Sequence, residues 1–429
     1  MANSPKIAII GLGYVGLPLA VALARHYTVV GFDIDADRVA ELRAGRDRTG
    51  EVDAAQLGAS SLKTSADVAD IKGCDLYIVT VPTPIDAANR PDLGPVRSAC
   101  RAVGGVMATG ATVVLESTVY PGVTETICAE TLSAASGLSW PADFALGYSP
   151  ERINPGDTVH TVDKITKVVA GDRPETTALL VAVYGSMNGG DIFQAASIKA
   201  AEAAKVIENA QRDINIAFVN EIAMLFHSMG VSIHDVLAAA RTKWNFLPFT
   251  PGLVGGHCIG VDPYYLAHAA QLEGEHSDVV LAGRRTNDAM GFWIGAQIDR
   301  TLRKAMPDGR NGRILVLGLT FKEDVPDLRN TRVVDVIGAL SETGHAVDVH
   351  DPHADPLEAD HEYGLTLVAD PKAHAPYDAV VCAVAHKIFT GPQAPGYLAL
   401  ARQGGVIADV KNAWVGERGQ YDDRVWWSL

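Results

Sequence analysis

The chain contains 429 residues, of which 48% are hydrophobic and 20% are charged, a composition typical of a globular protein with two or three domains. Its formal net charge of -15 argues against non-specific nucleic-acid binding, which requires clustered cations, so the cations for any anionic ligand must be concentrated locally. The five cysteines form no CxxC pair, which favours a reducing cytoplasm over a disulfide framework or a cysteine zinc site.

The first third of the chain alternates short apolar runs with segments of helical period. It enters the first run directly from Met1–Lys6, without the apolar segment of a signal peptide, and no run of about 18 apolar residues predicts a membrane span. The predicted strands are Lys6–Ile10, Thr28–Asp33, Asp75–Val81 and Thr112–Ser117, with helices at Leu17–Arg25 and Asp37–Ala44. This alternation predicts βαβ units around a parallel sheet.

A glycine motif, G-L-G-Y-V-G, lies between the first strand and the first helix. The glycines of Gly11–Gly16 permit a tight turn and let a pyrophosphate approach the helix N-terminus, as in dinucleotide-binding folds. Asp33 ends the next strand about 20 residues on, where a carboxylate binds the adenosine ribose, and its charge favours NAD over NADP. Arg38 either lies near the adenosine or is a solvated arginine on a helix surface. The later loop with Pro82 and Thr83 either contacts the cofactor or is a rigid turn.

The middle of the chain is Ala-rich and helical. One long helix is predicted from Ser197, a candidate cap, to Met229, with Gly230 as its stop. More helix follows, interrupted by a Gly/Pro-rich loop, Pro248–Gly260. The long helix and its small side chains favour packing against a second copy, so we expect a homodimer or a higher homo-oligomer.

The last part of the chain returns to an α/β pattern after a turn-rich linker, Met306–Gly312. Strands are predicted at Arg313–Gly318, Ala346–Asp351, Asp378–Ala383 and Gly405–Asp409, with a helix at Arg332–Thr343. The predicted fold class is therefore α/β, with two Rossmann-like parallel-sheet domains joined by a long central helix and a helical middle domain. The predicted domains are residues 1–196, 197–306 and 307–429.

One cysteine enclosed by glycines, in Gly255–Pro263 (GGHCIGVDP), is the strongest chemical feature. The glycines leave the sulfur of Cys258 accessible and let the backbone approach a substrate. Four residues later, Asp262 is either a reactive carboxylate or a cap of the next helix. The remaining cysteines fit the pattern of small buried hydrophobes and are Cys74, Cys100, Cys128 and Cys382.

These motifs together resemble those of the UDP-glucose/UDP-N-acetylhexosamine 6-dehydrogenase family, in the family's order and over nearly the whole chain. They are GxGYVG at Gly11–Gly16, EST at Glu116–Thr118, SPE at Ser149–Glu151, AExxKxxxN at Ala201–Asn209, GGHCIGVDP at Gly255–Pro263 and FKxDxxDxR at Phe321–Arg329. The stretches YSPERINPG and KWNFLPFTPGLVGGHC look most like the branch that acts on UDP-N-acetylglucosamine or UDP-N-acetylgalactosamine. Two departures, Glu116 in place of a lysine and Pro155 in place of a second glutamate, put UDP-glucose in doubt.

The resemblance implies a four-electron oxidation of the C6 alcohol of a UDP-sugar with two NAD, through a thiohemiacetal and a thioester on Cys258, for surface polysaccharide precursors. Lys205 and Asn209 match the family's oxyanion-stabilising pair, and their spacing puts them on one helix face. Without the resemblance they would be interpreted as a surface lysine and a polar helix residue. The residues that match the family's proton-moving carboxylates and its water-holding threonine are Glu151, Asp262 and Thr118.

The motifs and the resemblance also predict the binding residues. The predicted cofactor-binding residues are Gly11, Gly13, Tyr14, Val15, Gly16, Asp33, Arg38, Pro82, Thr83, Thr118 and Arg329. The predicted substrate-binding residues are Glu151, Arg152, Lys205, Asn209, Arg241, Lys243, Phe249, Gly252, Gly255 and Lys322. The C-terminal sheet has Gly318 but no GxGxxG, which favours UDP over a second NAD there. Arg241 and Lys243 either meet the pyrophosphate, in their own or a neighbouring subunit, or are solvated charges.

Other interpretations stay open. A UDP-glucose or UDP-N-acetylmannosamine 6-dehydrogenase would share the motifs. A two-electron β-hydroxyacid dehydrogenase also has Lys and Asn on a long helix but needs no cysteine loop, and an inactive nucleotide-sugar binding protein would leave the chemical positions unused. His345, His350 and His353 lie along a strand and its turn without a matching ligand set, so no metal site is expected. The expected partners are a UDP-sugar and a second copy of the chain, with no nucleic acid and no membrane.

Overall fold

The computed structural model describes residues 4–86, 88–153, 159–256 and 259–429. The chain forms two compact units: an N-terminal unit of Met1–Glu208 with Tyr264–His276, and a C-terminal unit of Asn209–Pro263 with Ser277–Leu429. Their boundary falls within the long central helix, and the predicted three-domain division stays a prediction. No helix in the described ranges has both the length and the apolar composition that a bilayer crossing requires.

An eight-stranded sheet forms the core of the N-terminal unit. Its strands are β1 (Ile7–Ile10), β2 (Val29–Phe32), β3 (Lys63–Ser65), β4 (Leu76–Val79), β5 (Thr112–Leu115), β6 (Ala145–Tyr148), β7 (Lys167–Gly171) and β8 (Ile192–Gln194). They lie in the order β3-β2-β1-β4-β5-β6-β7-β8, and only β6 and β7 pair antiparallel. Every residue of β1, β2, β4 and β5 is buried, as expected of strands in a covered parallel sheet. The four strands predicted here are confirmed, with slightly shorter ends.

Helices connect these strands. They are α1 (Gly16–Leu23), α2 (Ala36–Arg43), α3 (Ala54–Ala59), α4 (Gly94–Gly104), α5 (Ala129–Ser136) and α6 (Pro174–Gly185), with a 3₁₀ turn at Val68–Ile71 and a π-helical turn at Thr124–Cys128. The two helices predicted in this region correspond to α1 and α2. Asp35 caps α2, because its carboxylate accepts hydrogen bonds from the backbone N–H groups of Asp37 and Arg38.

The middle of the chain contains α7 (Ile198–Met229), α8 (Ile233–Ala240), α9 (Asp262–Leu272) and α10 (Asp278–Ala305). The predicted long helix is confirmed as α7. Ser197 caps it, since its hydroxyl accepts from the backbone N–H of Ala200 at 3.1 Å. Gly230 follows its end with φ +69°, the left-handed conformation that favours glycine after a helix.

A five-stranded parallel sheet forms the core of the C-terminal unit. Its strands are β9 (Arg313–Leu317), β10 (Ala346–His350), β11 (Tyr377–Cys382), β12 (Ala401–Asp409) and β13 (Val425–Ser428), in the order β10-β9-β11-β12-β13. Its helices are α11 (Val333–Glu342), α12 (Pro356–Tyr363), α13 (Lys387–Thr390) and α14 (Ala394–Leu398), with 3₁₀ turns at Pro371–His374 and Val415–Gln420. Ile294, Ile298 and Leu302 of α10 are fully buried against Ile314 and Val316 of β9. The predicted fold class is confirmed.

Candidate functional site

The loop after β1 is shaped by close backbone contacts that only glycine allows. A Cβ at Gly16 would lie 1.9 Å from the Gly11 carbonyl oxygen, and Gly11 itself has φ +97°. Thr80, at the end of β4, fixes the turn by donating its hydroxyl toward the carbonyl oxygens of Ile10 (3.0 Å) and Gly11 (2.9 Å). Thr80 was not among the predicted site residues. The sequence feature that could have identified it is its position directly after β4, the strand that pairs with β1.

The same loop leaves room and backbone donors for an anion. A Cβ at Gly13 would meet no described atom within 4 Å, so the backbone there is open to close approach. Helix α1 begins at Gly16, with no side-chain cap at Val15 and no acidic residue in its first turn. The N–H of Leu17 already donates to the Gly13 carbonyl oxygen at 3.1 Å and Pro18 has no N–H, so the open backbone at Gly13 and the positive end of the α1 dipole are what favour a phosphate. The predicted pyrophosphate site fits this geometry.

Asp33 and Arg38 stand beside the glycine loop. The Asp33 carboxylate accepts from the backbone N–H groups of Leu12 (2.8 Å) and Asp35 (2.9 Å) and is only half-buried. Arg38 is 2% exposed, so the interpretation as a solvated surface arginine is wrong. Its guanidinium donates to the Leu12 carbonyl oxygen (2.9 Å) and pairs with Asp47 (2.7 Å), which commits most of its charge within the fold.

The other predicted cofactor residues of this unit lie at strand ends or in the glycine loop. Tyr14 and Val15 are half-buried in that loop. Pro82, exposed, and Thr83, buried, follow β4, and half-buried Thr118 follows β5. Because β1, β4 and β5 are adjacent and parallel, their carboxyl ends meet at one edge of the sheet, where open α/β sheets bind ligands.

Glu151 is a buried carboxylate held by donors on both oxygens. It follows β6, is 7% exposed, and its Oε1 accepts from the backbone N–H groups of Arg152 (2.6 Å) and Ile153 (2.7 Å). Its Oε2 accepts from the Lys167 ammonium at 3.0 Å, and that ammonium also donates to Glu116 Oε2 at 2.8 Å. Lys167 was not among the predicted site residues. A lysine opening an otherwise apolar strand, KVVAG, was the only signal for it.

Arg152 and Lys205, two predicted substrate-binding residues of this unit, differ in exposure. The exposed guanidinium of Arg152 pairs with Glu208 of α7 at 3.0 Å, so this predicted substrate residue already has a protein partner. Lys205 is 7% exposed, which rules out the interpretation as an ordinary surface lysine.

In the C-terminal unit the structure brings together two predicted catalytic residues. The side-chain amide of Asn209 donates to Asp262 Oδ2 at 2.6 Å. Asp262 is 2% exposed and is the first residue of α9. It therefore stands at a helix start, as the capping interpretation expected, while its carboxylate also contacts the predicted oxyanion-side amide.

The loop that leads to Cys258 packs on the FKEDVPDLRN segment. A Cβ at Gly255 would lie 2.6 Å from the Asn330 carbonyl oxygen, and one at Gly256, where φ is +87°, would lie 2.8 Å from the Phe321 ring. Glycine is thus required by close approach, and two separate sequence motifs meet within one unit. His257, Cys258 and Pro155 lie outside the described residues.

A buried polar network supports the start of this loop. Asn220 of α7 donates its amide to the Gly252 carbonyl oxygen (3.0 Å) and accepts from the Gly252 N–H (2.8 Å). Asn220 also donates to Asn287 of α10 (2.9 Å), which in turn donates to Asp213 (2.7 Å), the partner of Arg284 (2.6 Å). Burying so many polar groups is tolerable only because they satisfy one another. None of these supporting residues was predicted.

A cleft lies beside the same loop. Its lining residues are Leu253, Gly255, Thr320, Phe321, Glu323, Thr331, Arg332, Val333, Ala383, Val384 and Lys411. The Lys411 ammonium would lie 2.9 Å from a Cβ at Gly252, so this cation faces the glycine loop. An anionic nucleotide needs such a local cation in a protein of negative net charge. Lys411 was not predicted, because a lysine after a strand carries no specific sequence signal.

The remaining predicted cations of this unit differ in burial and in their partners. Arg329 forms a two-nitrogen ion pair with Asp327, at 3.0 and 2.7 Å, and Lys322 is half-buried. Arg241 and Lys243 are exposed, as the solvated interpretation allowed. Phe249 packs against the apolar cluster between α7 and α8. The binding roles of these residues stay predictions.

The four described cysteines are buried, and two of the described histidines are held by hydrogen bonds within the fold. Cys74, Cys100, Cys128 and Cys382 are buried free thiols, which confirms their interpretation as buried small residues. Asp324, His353 and His386 come close enough to share an ion. However, His386 Nδ1 accepts from the Asp324 N–H (2.8 Å) and its Nε2 contacts Asp351 (3.1 Å), so neither nitrogen is left for a metal. His345 is held in the same manner by Gly312 and Asp299.

Comparison with known proteins places this architecture in a family. Three models of the UDP-glucose/GDP-mannose dehydrogenase family match the chain: the NAD binding domain at residues 5–188, the central domain at 199–289 and the UDP binding domain at 315–416. A UDP-N-acetyl-D-glucosamine 6-dehydrogenase from Pseudomonas aeruginosa is 51% identical over 407 residues, which are 95% of this chain and 96% of that protein. The chain belongs to the UDP-glucose/GDP-mannose dehydrogenase family.

Further relatives agree with this placement. A UDP-N-acetyl-D-glucosamine 6-dehydrogenase from Salmonella typhi is 48% identical over 385 residues, 90% of each chain. A solved structure of the UDP-D-ManNAc dehydrogenase from Pyrococcus horikoshii matches with a TM-score of 0.85 at 31% identity, covering 95% of this chain and 96% of that one.

Family membership confirms the predicted resemblance and the predicted cofactor. This member of the UDP-glucose/GDP-mannose dehydrogenase family is an NAD-dependent oxidoreductase. The loop Gly11–Gly16, the uncapped start of α1 and Asp33 lie within its NAD binding domain, and the cleft beside Thr320 and Phe321 draws most of its lining from the UDP binding domain.

Proposed function

We propose that the chain oxidises the C6 alcohol of UDP-N-acetyl-D-glucosamine to the uronic acid, with UDP-N-acetylgalactosamine as the next candidate substrate. The observation that carries the proposal is the 51% identity, over nearly the full length of both chains, to the Pseudomonas aeruginosa relative of that name. The Salmonella typhi relative, at 48%, supports the same sugar. The relative named for the mannosamine sugar is more distant, at 31%.

The proposed chemistry uses a covalent intermediate on Cys258. The alcohol loses a proton and a hydride to become an aldehyde, and the Cys258 thiol adds to it as a thiohemiacetal. Loss of a second hydride and of the hydroxyl proton leaves a thioester, which water cleaves to the carboxylate and the free thiol. Bound NAD supplies the hydride acceptor in both oxidations. Lys205 and Asn209 stabilise the oxyanions, while Asp262 and Glu151 move protons and Thr118 holds water.

The described contacts support these roles for two of the residues. The Asn209 amide donates a hydrogen bond to the buried Asp262 carboxylate. A sugar hydroxyl that comes between them can accept from the amide and donate to the carboxylate, so the carboxylate keeps a hydrogen-bond partner. Glu151 accepts hydrogen bonds from two backbone N–H groups and from the Lys167 ammonium, and these contacts hold both of its oxygens in a fixed orientation.

Counting NADH with a panel of UDP-sugars tests the proposal. We expect two NADH per sugar, with UDP-N-acetylglucosamine turned over faster than UDP-N-acetylgalactosamine, UDP-N-acetylmannosamine and UDP-glucose. One NADH per substrate would indicate a two-electron β-hydroxyacid dehydrogenase instead. Sugar binding without any NADH would indicate an inactive binding protein, and equal turnover of UDP-glucose would contradict the N-acetyl preference.

Substitution of the cysteine tests the covalent step. Cys258→Ala should abolish net turnover while UDP-sugar binding changes little, because ground-state contacts remain. Cys258→Ser should form an ester that hydrolyses slowly, so mass spectrometry should find the protein heavier by one uronyl-nucleotide group. Near-normal NADH production by Cys258→Ala would mean that the cysteine is only structural.

The exposed surface of α7 supports a homodimer or a higher homo-oligomer. Phe218 is 62% exposed and Leu225, seven residues later on the same helix face, is 52% exposed. Large apolar side chains at helical spacing are unusual on a surface that stays in water. Light scattering at micromolar concentration should find a dimer, and Phe218→Glu with Leu225→Glu should produce a monomer. The matched control Leu357→Glu, on exposed α12, should leave the mass unchanged.

The expected compartment is the cytoplasm, and the expected role is the supply of surface polysaccharide precursors. The four described cysteines are unpaired thiols, which fits a reducing compartment. Cell fractionation should recover the protein with the cytoplasmic fraction. Recovery in the periplasm or the medium would contradict this.

A further inference from the structure

A cluster of four polar side chains surrounds the Glu151 carboxylate in the N-terminal unit. Glu116 follows β5, Glu151 follows β6, Lys167 begins β7 and Tyr184 lies on α6. Lys167 and Tyr184 are fully buried, Glu116 is 1% exposed and Glu151 is 7% exposed. The Lys167 ammonium bridges Glu116 (2.8 Å) and Glu151 (3.0 Å), and the Tyr184 hydroxyl donates to the other oxygen of Glu116 at 2.5 Å.

Fold stability alone is a poor explanation for this cluster. Removing a cation and two carboxylates from water costs several kcal/mol per ion, and well-packed apolar residues in the same place are often at least as stabilising. The surrounding strands β4 and β5 are entirely apolar or Thr and show what this core otherwise contains. A role for the charges themselves is therefore the better explanation.

The contacts assign a different task to each member. Burial alone would lower the pKa of Lys167, but the two carboxylates raise it above its usual value, so the ammonium stays charged at neutral pH. Burial raises the pKa of Glu116, which has no described backbone donor and is held by Lys167 and Tyr184. Glu151 alone combines the ammonium with two backbone N–H groups, and these fix both of its oxygens.

We propose that Lys167, held in place by Glu116 and Tyr184, is a positioning residue that orients the Glu151 carboxylate and balances its charge for proton transfer. This rests on the proposed role of Glu151 as the base for thioester hydrolysis. In that step Glu151 accepts a proton from water, the hydroxyl adds to the thioester carbonyl, and the sulfur of Cys258 leaves and takes up a proton. A freely rotating or uncompensated carboxylate would make this step slow.

The double variant Glu116→Gln/Lys167→Met tests the proposal without changing the net charge of the cluster. It removes one negative and one positive charge, so that no extra uncompensated ion is buried and the chain should fold. We expect kcat to fall about 10- to 100-fold, as for other losses of orientation at a reacting group. NAD and UDP-sugar affinities should change less than about twofold, because ground-state contacts remain.

Two readouts separate positioning from general damage to the fold. The first NADH pair should still appear as a burst, while mass spectrometry finds the thioester accumulated on Cys258. The exposed-lysine control Lys63→Met, in the same unit, should match the unsubstituted enzyme.

The single variant Glu151→Gln makes the two possible failures distinguishable. Normal turnover by Glu151→Gln would show that the proposed role of Glu151 is wrong, and the positioning role would fall with it. Slow turnover by Glu151→Gln together with a normal kcat and no accumulated thioester for the double variant would overturn only the positioning role of Lys167.

Discussion

The first strand of each sheet is followed by the same kind of turn, but the two turns differ in how much of their backbone is open to a ligand. In both, the first strand ends at a glycine with positive φ: Gly11 (+97°) after β1 and Gly318 (+88°) after β9. In both, an aspartate follows the neighbouring strand and accepts a backbone N–H from the residue after that glycine. Asp33 binds the Leu12 N–H at 2.8 Å, and Asp351 binds the Leu319 N–H at 2.6 Å.

The difference lies in which backbone donors are already taken. Asp351 also accepts from the Thr320 N–H (2.9 Å) and contacts His386 (3.1 Å), and it is buried. A Cβ at Gly318 would lie 2.5 Å from Val384 Cβ, so that turn is closed by protein atoms. Beside Asp33, by contrast, Gly13 is open and the start of α1 has no cap. Asp351 thus also takes the N–H of Thr320, the second residue after its glycine, whereas Asp33 leaves the space beside Gly13, the corresponding residue, open to a phosphate. Topology alone therefore does not specify a dinucleotide site.

Removal of the Asp351 charge should have the largest effect on this comparison. In Asp351→Asn the single amide oxygen can serve either the Leu319 and Thr320 N–H groups or the His353 N–H on the other side, so one backbone donor faces an amide N–H. The charge-assisted contact with His386 is also weakened, so the free energy of unfolding of the C-terminal unit should fall by about 3 kcal/mol. Urea unfolding followed by tryptophan fluorescence reports this unit, because it contains five of the six tryptophans. NAD affinity should not change. An unchanged urea midpoint would show that the carboxylate is not what closes the turn.

The same variant sharpens the comparison through pH. Burial would raise the pKa of Asp351, but hydrogen bonds from His386 and from the backbone N–H groups of Leu319 and Thr320 hold it well below its usual range. A depressed folded-state pKa means that the stabilisation is complete above the ordinary carboxyl pKa of about 3.9 and is lost as the pH falls below it. The difference in urea midpoint between the unsubstituted chain and Asp351→Asn should therefore keep its neutral-pH value down to about pH 5. It should become smaller as the pH falls toward about 3. A difference that grows in acid would contradict this sign.

Matched alanine substitutions in the two turns should have opposite consequences. Gly318→Ala forces a positive φ on alanine and a clash with Val384, which should lower stability by about 2 kcal/mol without affecting NAD. Gly13→Ala adds a Cβ where no described atom lies within 4 Å, so stability should hold while NAD affinity falls about tenfold. Urea unfolding and NAD titration of both variants check this. Loss of stability without loss of NAD affinity in Gly13→Ala would mean that the open space is not the pyrophosphate site.

The sequence was informative where local pattern decides the structure. Glycine spacing predicted the loop Gly11–Gly16, short apolar runs predicted several strands of each sheet, and an Ala-rich run without Gly or Pro predicted the long helix α7. Edge strands such as β8, with half-exposed and mixed side chains, lack such a run and were not predicted. The partners of Glu151 were missed for a different reason: Lys167 and Glu116 are 51 residues apart, and only the antiparallel pairing of β6 with β7 brings them together. Arg38 was ambiguous because its burial depends on Asp47, which no local pattern marks.

Neutralisation of Asp33 should give the smallest effect and the most specific one. In Asp33→Asn one oxygen can still accept a backbone N–H, so the turn should survive with little loss of stability. The substitution removes the charge that is predicted to bind the adenosine ribose and to repel a 2′-phosphate, so NAD affinity should fall about fivefold while NADP affinity rises. Exposed Asp37, at the start of α2, offers a control with the same charge change, and Asp37→Asn should leave the ratio of the two affinities unchanged. Because both variants alter the net charge equally, a shift confined to Asp33→Asn would locate the discrimination at the ribose position. Equal shifts in both variants, or a preference of the unsubstituted enzyme for NADP, would show that Asp33 does not select the cofactor.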